Sequence, residues 1–292
     1  MASRYWYAAR MNAPGFADTA ASAMVVTDLD GTLLDSRGTL STANRAALER
    51  LGREGVLRVV ATGRNLHSAR RVLTPEMPID YLVFASGAGT LEWRTASLLH
   101  SEHLDAAQAL DAALRLIGLG LDFMLHAAVP DNHRFWYHRA APGNADFEHR
   151  IRRNIDFGVP WPDAAPAGPF SQLLAVQARH GRFLREELAA LLCPLNVVRT
   201  TSPLDHESCW FEVFPPGVSK AAGAARVADR HRIDAARVLA VGNDYNDEAL
   251  LAWASQPRVV ANAPPSLRAR YPTVPGNDED GFAAAVSAWL WR

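Results

Sequence analysis

The chain has 292 residues, 49% of them hydrophobic and 21% charged, enough to bury one large or two ordinary cores and too apolar for disorder. Lys plus Arg number 30 against 31 Asp plus Glu, and a formal net charge of -1 gives no reason to expect nucleic acid or an anionic membrane as main partner. The 2 cysteines, Cys193 and Cys209, form no CxxC pair and have no His at zinc spacing, so they read as reduced thiols of a cytoplasmic protein.

In chain order, residues 1–22 carry scattered aromatics and charges without a continuous apolar centre. They read as a loosely ordered tail and not as a secretory signal. No apolar run approaches the roughly 20 residues of a membrane helix. Met24 to Thr27 is a short β-branched run closed by Asp28 and Gly31, the pattern of a buried strand ending in a tight turn. Ser41 caps an expected helix over Thr42 to Gly52, whose apolar residues recur at helical spacing. A second strand is expected over Val56 to Ala61, then Thr62-Gly63-Arg64 and a basic helix through Val72. A third strand, Tyr81 to Ala85, ends in the small residues Ser86 to Gly89. This alternation is that of a parallel sheet with crossover helices.

From about Leu91 to Phe211 the rhythm changes. Helices are expected over Asp105 to Leu116 and Gly181 to Leu192. Strands are expected over Asp122 to Ala127, Arg134 to His138, Leu173 to Ala178, Asn196 to Thr200 and Cys209 to Val213, with a Pro- and Ala-rich loop over Val159 to Pro169. Phe135-Trp136-Tyr137 reads as packing and not as a sugar platform. After Pro215-Pro216-Gly217 the first rhythm returns, with helices over Ser219 to Arg230, Asp247 to Ala254 and Gly281 to Trp291, and strands over Arg237 to Gly242 and Arg258 to Val260. The fold class is α/β. A Rossmann-like core with a parallel sheet (residues 23–90 and 212–292) is interrupted by an inserted α+β domain (residues 91–211).

Ligands of such sheets sit at the carboxyl ends of the strands. One end offers Asp28-Leu29-Asp30-Gly31: a carboxylate that can attack phosphorus, and a second, two residues on, that can act as acid and base. A second end offers the Thr62 hydroxyl, backed by the turn at Gly63, as a phosphate donor. Lys220, at an expected helix start, would neutralise nucleophile and phosphoryl group together. Gly242-Asn243-Asp244-Tyr245-Asn246-Asp247 gathers the oxygen ligands that a hard cation wants. Arg64 reads equally as a surface cation or a phosphate contact, and Asn246 is a further candidate.

These four segments resemble, in order, the four motifs of the haloacid dehalogenase (HAD) superfamily, and within it the Cof-type phosphatases with a large cap. Val260-Ala261-Asn262-Ala263 and Asn277 to Gly281 resemble that subgroup's C-terminal segments. The resemblance implies Asp28 as nucleophile, Asp30 as general acid and base, and Thr62, Gly63 and Lys220 on the phosphoryl group. It implies Mg2+ held by Asp28, Asp30 and Asp247, with Asn243 giving a neutral oxygen or, alternatively, Asp244 ligating directly. The expected activity is hydrolysis of a small phosphorylated metabolite, such as a sugar phosphate, through an aspartyl phosphate, by a monomer or homodimer. A phosphomutase and a non-catalytic phosphometabolite-binding protein are the alternatives. Two positions depart from the pattern: Asn243 stands where the motif has Asp, and Ser86-Gly87-Ala88 where the subgroup has Asn-Gly-Ala.

Overall fold

The structure is a computed structural model and describes residues 21–140, 142–162, 166–178, 181–202, 205 and 207–290. The expected N-terminal tail, up to residue 20, and Trp291 of the expected last helix lie outside the described residues. The chain divides into two compact units: Met1–Arg64, Ser68–His100 and Ser219–Arg292 form one, Asn65–His67 and Ser101–Val218 the other.

The first unit is built on an eight-stranded sheet of order β14-β13-β12-β1-β2-β3-β4-β5. The strands are β1 (Ala23–Thr27), β2 (Val56–Ala61), β3 (Tyr81–Phe84), β4 (Gly89–Glu92), β5 (Ser97–Ser101), β12 (Val238–Gly242), β13 (Gln256–Val260) and β14 (Thr273–Val274). From β14 to β3 every pair is parallel, while β4 runs antiparallel to β3. Parallel strands covered on both faces read as continuous apolar runs, as Met24-Val25-Val26 and Val238-Leu239-Ala240-Val241 do. Met24, Val26, Val59, Val83 and Ala240 share one buried cluster with Ala224 and Val227. Each fully buried Met or Val side chain of this cluster contributes roughly 1.5–3 kcal/mol. Thr27 stands opposite Val60 of β2 and Val241 of β12, so the ends carrying Asp28, Thr62 and Asn243 lie abreast at one edge.

Helix α1 (Thr42–Arg53) starts at Ser41, whose hydroxyl accepts from the Asn44 amide. The basic helix expected through Val72 is only α2 (Leu66–Ala69), followed by turns in which the amides of Arg71 and Val72 reach Ser68 and Ala69.

The second unit has a six-stranded sheet of order β10-β11-β9-β6-β7-β8. Its strands are β6 (Asp122–Ala127), β7 (Phe135–His138), β8 (Gly158–Pro160), β9 (Phe170–Gln177), β10 (Asn196–Thr201) and β11 (Cys209–Phe214), antiparallel except for the β7–β8 pair. Helices α3 (Ala106–Gly118) and α5 (Arg185–Leu191) pack on one face through Leu116 and Leu188. Helix α4 (Ala145–Arg153) covers the other through Phe147 and Ile151.

Three expectations change here. The boundaries at 91 and 211 move to 101 and 218, because β4 extends the first sheet and β11 is paired along its whole length in the second. Val159 and Pro160, expected in a loop, are strand residues beside Trp136 and Tyr137; of that loop, 163–165 lie outside the described residues. Helix α4 was not expected, since its only regularly spaced large apolar residues are Phe147 and Ile151. Its signals are the Asn144 cap, acids in the first turn and arginines in the last.

The remaining helices of the first unit are α6 (Lys220–His231), α7 (Glu248–Trp253), α8 (Pro265–Arg268) and α9 (Gly281–Leu290). Asn44, fully buried, joins two of the pieces around them: its amide donates to the Leu33 carbonyl at 2.9 Å, and its oxygen accepts from the Ala283 amide at 3.0 Å. Among the described residues no helix is long and apolar enough to cross a membrane.

Candidate active site

Asp28 follows β1, and its amide donates to the Val241 carbonyl of the neighbouring strand at 2.9 Å. Lys220 opens α6, where the Ser219 hydroxyl accepts from the Ala222 amide. The backbone of Gly87 brings that helix start close: with φ +107°, a Cβ there would lie 2.1 Å from the Ser219 carbonyl oxygen. Only glycine allows this approach.

The ammonium of Lys220 is almost fully buried and donates to Asp28 Oδ1 at 2.6 Å, Asp247 Oδ1 at 2.7 Å and Asn246 Oδ1 at 3.2 Å. Burial opposes its charge, but the Asp247 and Asp28 carboxylates outweigh burial and hold its pKa above the ordinary lysine value. Burial pushes the Asp28 carboxyl up to about 7; Lys220 pulls the other way, and Asp247 and Asp30 add to the rise. Removing one partner of such a buried set typically costs 3–5 kcal/mol, roughly, because the remaining charges stay buried.

Asp247, expected as a metal ligand, is hydrogen-bonded on both oxygens. One oxygen is held by Lys220, and the other accepts the amides of Asn243 at 2.9 Å and Asp244 at 3.2 Å. A carboxylate so engaged braces the loop and the lysine. Gly31, at φ +71°, admits the Asn243 amide, whose Nδ2 would be 2.6 Å from a Cβ at that position. The Asn262 amide donates to the Gly31 carbonyl at 2.8 Å and its oxygen accepts from the Asn277 amide at 3.1 Å. The two C-terminal segments thus hold the loop after Asp30 in place.

Both oxygens of Asp30 accept from Arg64, from Nε at 2.6 Å and Nη2 at 2.7 Å. Arg64 Nη1 reaches Ser68, and its amide donates to Thr62 Oγ1 at 3.1 Å. Because the buried Thr62 hydroxyl accepts that bond, its proton is available to an incoming acceptor. Gly63 links these two residues in the turn after β2. Thr32 Oγ1 is buried and has no hydrogen-bond partner among the described residues.

The structure therefore brings Asp28, Lys220, Asn246 and Asp247 into one hydrogen-bonded group. Asn243 and Asp244 are tied to it through Asp247, and Asp30 and Arg64 form a pair beside Thr62. The sequence reading did not find the Asp30–Arg64 pair, the Asn262 bond or the Gly87 approach. Among the described residues, no three or more His, Cys, Asp and Glu side chains converge as cation ligands. The candidate ligand atoms are oxygens: Asp28 Oδ2, which accepts no hydrogen bond among the described residues, the Asn243 amide beside Gly31, and the Asp244 carboxylate, which also caps the turn that follows it. An all-oxygen set that is part neutral suits Mg2+ better than a softer ion, so the residues fit that group.

A family model described as haloacid dehalogenase-like hydrolase matches residues 25–286. The chain is 24% identical over 279 residues to 5-amino-6-(5-phospho-D-ribitylamino)uracil phosphatase YcsE of Bacillus subtilis, covering 91% of this chain and 95% of that one. It is 28% identical over 262 residues to the HMP-PP phosphatase of Cronobacter sakazakii, covering 85% and 87%. A solved structure of BT1666, a HAD-superfamily phosphatase from Bacteroides thetaiotaomicron, superposes with TM-score 0.74 at 20% identity, covering 96% of this chain and 99% of that one.

Proposed function

The chain belongs to the haloacid dehalogenase-like hydrolases, and from that premise we propose that it is a phosphatase for a small phosphorylated metabolite, working through an aspartyl phosphate on Asp28. The observation that carries this reading is the buried Lys220 ammonium joining Asp28 and Asp247 at the carboxyl ends of parallel strands.

In the first half-reaction, Asp28 Oδ2 attacks phosphorus and the bond from phosphorus to the ester oxygen breaks. The leaving alkoxide takes a proton from Asp30 and departs as the alcohol. In the second, Asp30 takes a proton from water, whose oxygen attacks the phosphoryl group. The bond between phosphorus and Asp28 breaks, releasing phosphate and restoring the carboxylate. Lys220 offsets negative charge on Asp28, and the Thr62 hydroxyl donates to a phosphoryl oxygen. Arg64 orients the Asp30 carboxyl group for the proton transfers through its contacts with it. Asp28, Asn243, Asp244 and the Asp30 main-chain carbonyl would hold Mg2+, with Asp247 bracing them. When bound, the ion screens the repulsion between Asp28 and the phosphate.

A sugar phosphate or similar ester is the expected substrate, in keeping with a relative named for a phosphoribityl compound. The test is phosphate release from an aryl phosphate and a panel of sugar phosphates, with Mg2+ and then with chelator. Release that needs Mg2+ supports the reading. An isomerised sugar phosphate without free phosphate, or tight binding without turnover, overturns it.

A further inference from the structure

In the second unit, Leu184, Glu187, Leu188 and Leu191 stand at the i, i+3, i+4 and i+7 spacing that puts them on one side of a helix. Leu188 belongs to the buried cluster that α3 and α5 share with the sheet, whereas Leu184 is 62% and Leu191 36% exposed. The Arg115 guanidinium of α3 donates to the Leu191 carbonyl at 3.1 Å, which holds the two helices side by side. Beside them lies a groove of about 410 Å³, lined by Leu119, Arg182, Phe183, Glu187, Leu188 and Leu191. Single exposed leucines are ordinary, but two that flank an apolar groove form a contiguous patch, which marks a contact surface.

The charges of this groove are unmatched. Arg182 lies over the Phe183 ring, 5.0 Å from its centre, and forms no ion pair among the described residues. Glu187 Oε2 accepts from the Leu184 amide at 2.8 Å, while its Oε1 accepts nothing among the described residues. The neighbouring charges, Arg185 and Glu186, pair with each other at 2.9 Å. One cation and one carboxylate therefore line the same groove without meeting.

A contact about a two-fold axis sets one patch against its own copy, so every residue pair occurs twice. Such a contact needs a protruding apolar group, a hollow that receives it, and charges of both signs. Leu184 protrudes, Leu119, Phe183 and Leu188 form the hollow, and Arg182 and Glu187 supply the two signs. An acidic or a basic partner of another kind would match only one of these charges and face the other with its own sign.

We propose that this groove is the interface of a homodimer, in which Leu184 of each copy enters the groove of the other and Arg182 of each copy pairs with Glu187 of the other. The interface stands independently of the phosphatase reading, because it lies wholly within the second unit and uses none of the residues assigned to catalysis.

Sedimentation velocity of the full chain over about 1–100 μM tests it. A concentration-dependent rise from the mass of one chain to that of two is expected. Leu184→Glu puts an unpaired charge into an apolar hollow and should raise the dimer Kd by about tenfold or more. Arg182→Glu sets carboxylate against carboxylate and should act in the same direction. Adding Glu187→Arg to it reverses both signs and should recover most of the affinity, which a loss of packing alone would not. Circular dichroism checks each variant's fold, and if the double variant does not fold, Leu184→Glu decides. One chain's mass at every concentration overturns the proposal, as does association that a folded Leu184→Glu leaves unchanged or that continues beyond two chains. A folded double variant that stays monomeric overturns it too. Mass is read without turnover, so this outcome and the phosphate-release outcome are separable.

Discussion

Lys220 and Asp247 are bonded at 2.7 Å with both side chains out of solvent, and the other oxygen of Asp247 holds the amides of Asn243 and Asp244. One carboxylate therefore fixes both the cation beside Asp28 and the loop with the candidate metal ligands. Asp247→Asn keeps the shape but removes the charge. We expect kcat on an aryl phosphate to fall by about 100-fold, and the melting temperature to drop because the lysine loses a buried counter-charge. Steady-state kinetics and a thermal melt check this. An unchanged kcat would remove Asp247 from the account.

Arg64 grips Asp30 at two points. Arg64→Ala frees the carboxylate, and kcat should fall by about tenfold with a smaller change in KM, because the lost interaction concerns proton transfer more than substrate affinity. Arg64→Lys offers a point charge in place of a fork, so it should restore only part of the rate. Full activity in Arg64→Ala would show that Asp30 needs no such hold.

The approach of Gly87 to Ser219 predicts a steep response to the smallest side chain. Gly87→Ala places a methyl 2.1 Å from a carbonyl oxygen at φ +107°. Stability to urea should fall by at least about 2 kcal/mol, and the shift of α6 should lower kcat in the molecules that remain folded. A loss below measurement error would contradict the close contact.

His126 predicts a pH dependence of stability. Burial, and then the nearby Arg150 charge, hold its pKa down at about 3, against an ordinary 6.5. The unfolded chain binds this proton and the folded one does not, so stability is fully present above pH 6.5 and lost as pH falls towards 3. Between pH 7.5 and pH 5 the loss from this one group is about 2 kcal/mol. His126→Asn keeps a donor for the Asn132 carbonyl but does not titrate. Urea midpoints for that variant should change less over the same range; an equal slope in both chains would refute the assignment.

Asn243→Asp restores the charge that the resembled motif has at this position. If the Asn243 oxygen is a ligand, the Mg2+ concentration for half-maximal activity should fall by about tenfold. An unchanged Mg2+ requirement would shift the ligand role to Asp244.

The residues that meet in the candidate site were legible because local signals mark them. Asp28 closes a β-branched run, Lys220 follows a Ser cap, and Asn243 to Asp247 follow another apolar strand. The Asp30–Arg64 pair was not, since it joins residues 34 apart through the crossing of two strand ends. The second unit was read less well. Helix α4 has too few apolar residues to show a helical period, and the β4 hairpin strand alternates like a strand of either sheet. The buried acceptors His126 Nε2 and Gln172 Oε1 have no sequence signature, because what marks them is the absence of a partner among the described residues.

The central claim is that Asp28 carries the phosphoryl group, and rapid quenching of the protein with a radiolabelled phosphate ester in the presence of Mg2+ tests it most directly. The account predicts label on the parent chain, released by hydroxylamine as an acyl phosphate would be, and neither label nor turnover in a normally folded Asp28→Asn variant. An Asp28→Asn protein that keeps more than a few per cent of the parent's phosphate release, or takes up label elsewhere, would contradict it.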